Sequence, residues 1–129
     1  MITLLLVDDE PWVRQGLRIW LERASDITVV GEASTGAEAI ALTQVLHPHV
    51  VLMDISLSTL DGIAAVTAIR ASAPRSAIVL LSLHDDAMMR ARARAAGVAT
   101  LVGKHEGVKA LLAAIRRTGG YEPSQDDTT

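Results

Sequence analysis

The sequence predicts an α/β fold: a doubly wound, five-stranded parallel sheet with five helices. Three observations predict it. Short apolar runs recur at Ile2–Val7, Ile27–Val30, Val50–Met53, Ala77–Leu81 and Val98–Val102, each rich in Val, Ile and Leu. All but the second lack polar alternation, as expected of parallel strands covered on both faces. Segments with helical periodicity lie between them, and such alternation implies an open parallel sheet joined by right-handed crossovers. The Gly-x-Gly-x-x-Gly fingerprint is absent, which counts against the dinucleotide-binding version of this architecture.

Each helix carries its own signals. Pro11 follows Asp9-Glu10 and opens the first, with Val13, Leu17, Trp20, Leu21 and Ala24 on one face. Ser34-Thr35-Gly36 opens the second, with Ile40, Thr43 and Leu46 inward and Pro48 as its stop. The third follows Asp61-Gly62, points Ile63, Val66, Ile69 and Ala73 inward, and ends at Pro74. The fourth starts near Asp85-Asp86, is rich in Ala and Arg, and takes Gly97 as its C-cap. The fifth places Val108, Leu111, Leu112 and Ile115 at i, i+3, i+4 and i+7. From Thr118 the apolar periodicity stops. The expected organisation is therefore one domain over 1–118 and a linker or disordered tail over 119–129.

Composition removes several function classes. The chain of 129 residues has no cysteine, which excludes a disulfide scaffold, a thiolate zinc site, an iron–sulfur cluster and a cysteine nucleophile. Its net charge of −3 lacks the general pull of a nucleic-acid binder. No apolar run approaches the roughly 18 residues of a membrane span. The start of the chain does not read as a secretory signal, and a cytoplasmic location is expected.

Ligands of open parallel sheets sit at the C-terminal ends of the strands. Asp8, Asp9 and Glu10 follow the first strand, Asp54 ends the third, Ser82 and Asp85 follow the fourth, and Lys104 follows the fifth. Taken singly, each has an ordinary reading: helix capping for Asp8 and Asp9, a turn for Asp54, a loop hydroxyl for Ser82, a solvated charge for Lys104. Together they describe a rim where clustered carboxylates repel unless a hard cation such as Mg²⁺ sits among them. A carboxylate beside Mg²⁺ can attack a phosphoryl group, and a metal, a lysine and a hydroxyl can neutralise the charge on its oxygens. Asp54, on a central strand, is the best nucleophile.

These residues resemble the receiver domain of two-component response regulators over essentially residues 1–118. Leu5-Leu6-Val7-Asp8-Asp9-Glu10-Pro11 is similar to the family's first strand and acidic pair, and Val51-Leu52-Met53-Asp54-Ile55 with Leu60-Asp61-Gly62 to its phosphoacceptor segment. Leu80-Leu81-Ser82 and Gly97 through Lys104 match the strands that end in the switch hydroxyl and the lysine. Val-Arg-Gln-Gly-Leu, Val-Val-Gly-Glu-Ala and Leu-His-Asp-Asp look most like receivers joined to LuxR-type helix–turn–helix domains. The resemblance implies a flavodoxin-like sheet of order 2-1-3-4-5. It implies that Asp54 takes phosphate from a histidine kinase or a small phosphodonor. It implies Mg²⁺ held by Asp9 directly, by Asp8 chiefly through water, by Asp54, and by the backbone carbonyl of Ser56, with Ser82 and Lys104 on the phosphoryl group. Implied partners are a sensor histidine kinase and a second copy in a homodimer. DNA contact would belong to a separate output domain.

Four positions depart from the family pattern. Leu101 stands where Tyr or Phe is usual, Ser58 where a proline is usual, Gly103 precedes the lysine, and His105 follows it. They bear on switching more than on phosphorylation, and they motivate the alternative of a receiver-like interaction module that works without phosphate. A Mg²⁺-dependent phosphohydrolase is disfavoured, because Ile55-Ser56 after Asp54 supplies no second acid. Trp12 is expected near the rim and Trp20 in the core. Arg90, Arg92 and Arg94 are spread around their helix, as in a solvated or dimer-contacting surface. His47 and His49 read as loop residues, Met88-Met89 as packing or interface residues, and His84, two residues after Ser82, either as a surface histidine or as one that influences how water reaches a phosphoaspartate.

Overall fold

The computed structural model describes residues 1–55, 59–83 and 86–120, with 55, 59–61 and 120 described by backbone alone. Strands β1 (Ile2–Val7), β2 (Ile27–Ala33), β3 (Val50–Ile55), β4 (Ala77–Ser82) and β5 (Thr100–Gly103) alternate with helices α1 (Pro11–Leu21), α2 (Gly36–Leu46), α3 (Thr59–Ser72), α4 (Ala87–Ala96) and α5 (Val108–Ile115). A 3₁₀ turn over Lys104–Glu106 precedes α5, and a π turn over Arg116–Gly120 follows it. All pairings are parallel and the strand order is 2-1-3-4-5, the order the resemblance implies.

The apolar runs lack alternation because both sheet faces are covered. Leu5 and Val7, Val51 and Met53, Ile78 and Leu80, and Leu101 point to the face under α2, α3 and α4, where Val66, Ile69, Met89 and Ala93 meet them. Leu4 and Leu6, Val50 and Leu52, Val79 and Leu81, and Val102 point to the face under α1 and α5, against Leu21, Leu111 and Ile115. Each fully buried aliphatic side chain contributes about 1.5–3 kcal/mol relative to exposure. This double burial fixes where the strands end, and so fixes the rim. Trp20 packs against the second cluster, as its register predicts, while Trp12 is 72% exposed.

Capping follows the sequence closely. Thr35 accepts from the Glu38 N–H, and the Glu38 carboxylate reaches back to the Ser34 N–H and hydroxyl. Asp86 caps α4 by accepting from the Met89 N–H at 2.9 Å. Gly97 closes α4 in the left-handed region at φ 102°.

Several boundaries differ from the sequence reading, and three have a clear cause or position. β2 runs on through Gly31-Glu32-Ala33, because β1 offers partners as far as Val7 across a register shift at Leu4/Leu5. A side chain at Gly31 would meet Leu46 at 2.7 Å, so the glycine there serves close packing and does not end the strand. α3 begins at Thr59, before Asp61-Gly62. β5 begins at Thr100, because the Val98 N–H bonds the Ala93 carbonyl and closes α4.

The described chain stays ordered past α5. Arg116 clasps Asp26 at 2.8 and 3.0 Å, and Gly119 lies so close to Val50 that a Cβ would come within 1.8 Å of its Cγ2. Among the described residues no helix is long and apolar enough to cross a membrane.

Candidate functional site

Asp8 stands where β1 leaves the sheet. Its N–H still bonds Ala33 O at 3.0 Å, its Oδ1 accepts from the Glu10 N–H at 2.9 Å, and the residue is buried. Its other oxygen, Oδ2, has no hydrogen-bond partner. Asp54 is next to last in β3, with its side chain 2% exposed. Asp8 and Asp54 touch through their carboxyl groups.

Burial and a like charge act together on Asp8. The Asp8 carboxyl is pushed up from 3.8 to about 7, chiefly by burial, then by the Asp54 carboxyl beside it and the charges of Asp54 and Asp9, against the lowering effect of the Glu10 N–H.

Lys104 supplies the opposing charge. Its Nζ lies 2.6 Å from Asp54 Oδ1. The contact is a charge contact and not an aligned hydrogen bond, so Asp54 Oδ1, like Asp8 Oδ2, is left without an aligned donor. The ladder explains the meeting. Ser82 pairs with Ile55 on one side and with Gly103 on the other, so this buried residue sits between the strand ends that carry Asp54 and Lys104.

Two residues that the sequence reading missed aim the lysine. The Glu106 carboxylate accepts from the Gly103 N–H at 2.7 Å, closing the turn that starts at Lys104. Arg90 on α4 donates to the Leu101 carbonyl at 3.2 Å and reaches Glu106 at 3.4 Å. Gly103 itself has φ −72° and ψ 139°, ordinary extended backbone, and it is held by Glu106. The glutamate two residues after the lysine was the available signal, since a Glu or Gln at that spacing can reach back to the strand's last N–H, as in a capping box.

Not every expected residue converges. Asp9 is exposed, at the bend after β1. Among the described residues no group of three or more His, Cys, Asp or Glu side chains is gathered closely enough to enclose a metal. Ser56, Ser58, His84 and Asp85 lie outside the described residues. Mg²⁺ nevertheless suits what is present, because it retains several waters and typically takes only one or two carboxylates plus phosphate oxygens. Two buried carboxylate oxygens without an aligned donor, on carboxyl groups that touch, are the donor set such an ion satisfies. Leu101 is buried beside a cavity of about 170 Å³ lined by Arg90, Ala93, Arg94, Val98 and Thr100.

The sequence matches the response regulator receiver domain over residues 4–116. The chain belongs to that family. Receivers of the family serve as phosphoacceptors in two-component signalling and generally bind Mg²⁺. The response regulator protein VraR of Staphylococcus aureus is 37% identical over 121 residues, which cover 94% of this chain and 58% of VraR. The chain thus spans under two-thirds of the curated relatives it matches. The two-component response regulator of the LuxR family from Aurantimonas sp. is 32% identical, with a TM-score of 0.80 over 92% of this chain and 88% of that one. The response regulator domain of Thermotoga maritima CheB is 28% identical, with a TM-score of 0.82 over 95% of this chain and 99% of that one.

Proposed function

We propose that this receiver accepts a phosphoryl group on Asp54 from the phosphohistidine of a sensor kinase, or from a small phosphodonor, with Mg²⁺ bound at Asp8, Asp9, Asp54 and the Ser56 carbonyl. The observation that carries the reading is the buried pairing of Asp54 with Lys104 and with the Asp8 carboxyl. An Asp54 oxygen bonds to phosphorus as the donor's P–N or P–O bond breaks, and the electron pair leaves with the donor. Lys104 and the Ser82 hydroxyl then face the phosphoryl oxygens, where negative charge is greatest. Mg²⁺, when bound, neutralises the carboxylates and the incoming phosphate. Asp8, Asp54 and Ser82 are buried, so these charges act in a medium where they count for more than in water.

Residues 1–118 act as the receiver and 119–129 as the lead-in to an output element. The domain works in the cytoplasm, it pairs with a second copy, and any DNA contact belongs to a separate output domain. Its only chemistry is gain and loss of its own phosphoryl group. Incubation with Mg²⁺ and acetyl phosphate, followed by intact mass measurement, should add one phosphoryl group to the wild type and none to Asp54→Asn. An equal gain by both proteins, or by neither, contradicts the assignment.

Burial of Leu101 beside a cavity supports a second reading, in which phosphate on Asp54 is poorly transmitted to α4 and β5. Self-association that is unchanged by beryllofluoride would favour it.

A further inference from the structure

We infer that Arg14 is a positioning residue for the cation site, a role that rests on the function proposed above. Arg14 sits in the second turn of α1, and its side chain is only 17% exposed. Its Nη1 donates to the backbone carbonyl of Asp8 at 2.6 Å, and its Nε donates to Glu32 Oε1 at 2.8 Å. One guanidinium therefore joins three elements: the end of β1, the start of α1 and the end of β2.

The Asp8 carbonyl is the point where this matters. The Asp8 N–H is still in the sheet, on Ala33, while its carbonyl has turned to Arg14. The peptide that follows carries Asp9, so Arg14 sets the direction in which the acidic pair leaves the strand. A planar fork with fixed donor directions can hold a carbonyl and a carboxylate at once, which a lysine ammonium cannot do with the same geometry.

A cation behind an acidic site would by charge alone repel a second cation. Glu32 counters that repulsion. Its carboxylate takes Arg14 on one oxygen and Arg18 on the other, and is held below the usual glutamate range by Arg18 first and then by Arg14. Arg18 also pairs with Glu22 and has no bond to the loop among those described. Charge and geometry thus predict opposite signs. Removing Arg14 tightens Mg²⁺ binding if only its charge matters, and weakens it if the orientation of the Asp8–Asp9 peptide matters.

The test is Mg²⁺ titration by calorimetry of the wild type, Arg14→Gln, Arg14→Lys, Glu32→Gln and Arg18→Gln, with thermal melts in EDTA as a check on folding. R14Q and R14K should both bind Mg²⁺ more weakly, R14Q by roughly tenfold, the lower end of what outer-shell partners contribute. E32Q should show a smaller loss and R18Q less than twofold. R14K is the variant that keeps the charge and loses the fork, and it remains informative if R14Q does not fold. Wild-type binding in R14K, or tighter binding in R14Q, overturns the role of Arg14. Absence of Mg²⁺ binding in the wild type instead overturns the proposed site itself.

Discussion

Removing the Asp8 charge should stabilise the metal-free protein, which is unusual for a substitution at a buried polar residue. Folding raises the Asp8 carboxyl from 3.8 to about 7. The sign follows from linkage: the folded state holds this proton more tightly than the unfolded chain does. The associated stability is full below 3.8 and is lost as pH rises through about 7. At 1.36 kcal/mol per pH unit, a shift of that size costs on the order of 4 kcal/mol at pH 8. Asp8→Asn removes the charge but retains an oxygen for the Glu10 N–H, now without charge assistance. The net gain should be about 1–3 kcal/mol at pH 8, which corresponds to roughly 4–12 °C in melting temperature for a domain of this size. Melts followed by circular dichroism in EDTA, from pH 4 to pH 8.5, measure it. The gap between variant and wild type should open as pH rises from about 4 to 7 and then level off. Added Mg²⁺ should raise the wild type more than the variant, because only the wild type has the full site to bind it. A variant no more stable than the wild type at pH 8, or a gap independent of pH, refutes the reasoning.

Other substitutions probe the same rim and its supports. Lys104→Met leaves the Asp54 carboxylate without its cation and should cost about 1–3 kcal/mol at pH 8 in EDTA, read by urea unfolding, with much of the loss recovered in a double variant with Asp8→Asn. Glu106→Ala frees the Gly103 N–H, should cost about 1 kcal/mol, and should weaken beryllofluoride binding followed by Trp12 fluorescence, because the turn that aims Lys104 is loosened. Gly97→Ala places a side chain at φ 102° with Cβ 2.9 Å from Arg70 Cγ, and should cost about 1–2 kcal/mol in the same unfolding assay without changing Mg²⁺ affinity.

The fold was legible because it rests on local signals that agree with one another. Val50–Met53 reads as a doubly buried strand and is one; Thr35 and Asp86 read as caps and accept the N–H groups expected of them. Boundaries failed where a long-range partner decided them. Nothing local to Gly31-Glu32-Ala33 reveals that β1 extends far enough to pair with it. The convergence of Asp8, Asp54, Ser82 and Lys104 was legible as residues at strand ends, since strand C-termini share one edge of a parallel sheet. Its supports were not. Arg14, Glu32, Arg90 and Glu106 look like solvated charges in sequence, and only the fold brings Arg14 from the second turn of α1 to the carbonyl of Asp8. Gly103 belongs with them, because its N–H is held by a side chain three positions on.

The opposite signs expected at Asp8 and Lys104 separate charge from packing at this site. Both side chains meet the Asp54 carboxyl, so a site held together by shape alone would lose stability at either position. A site organised by charge gains at one and loses at the other, because the metal-free pocket holds carboxylates in contact with one partly exposed ammonium to balance them. On the proposed function, a divalent cation held at these carboxylates would restore neutrality, and a phosphoryl group would bring its negative charge to the end that carries Lys104. Stabilising the pocket by neutralising Asp8 should therefore remove its capacity for Mg²⁺. A variant that gained stability and kept full Mg²⁺ affinity would show that the two properties draw on different residues.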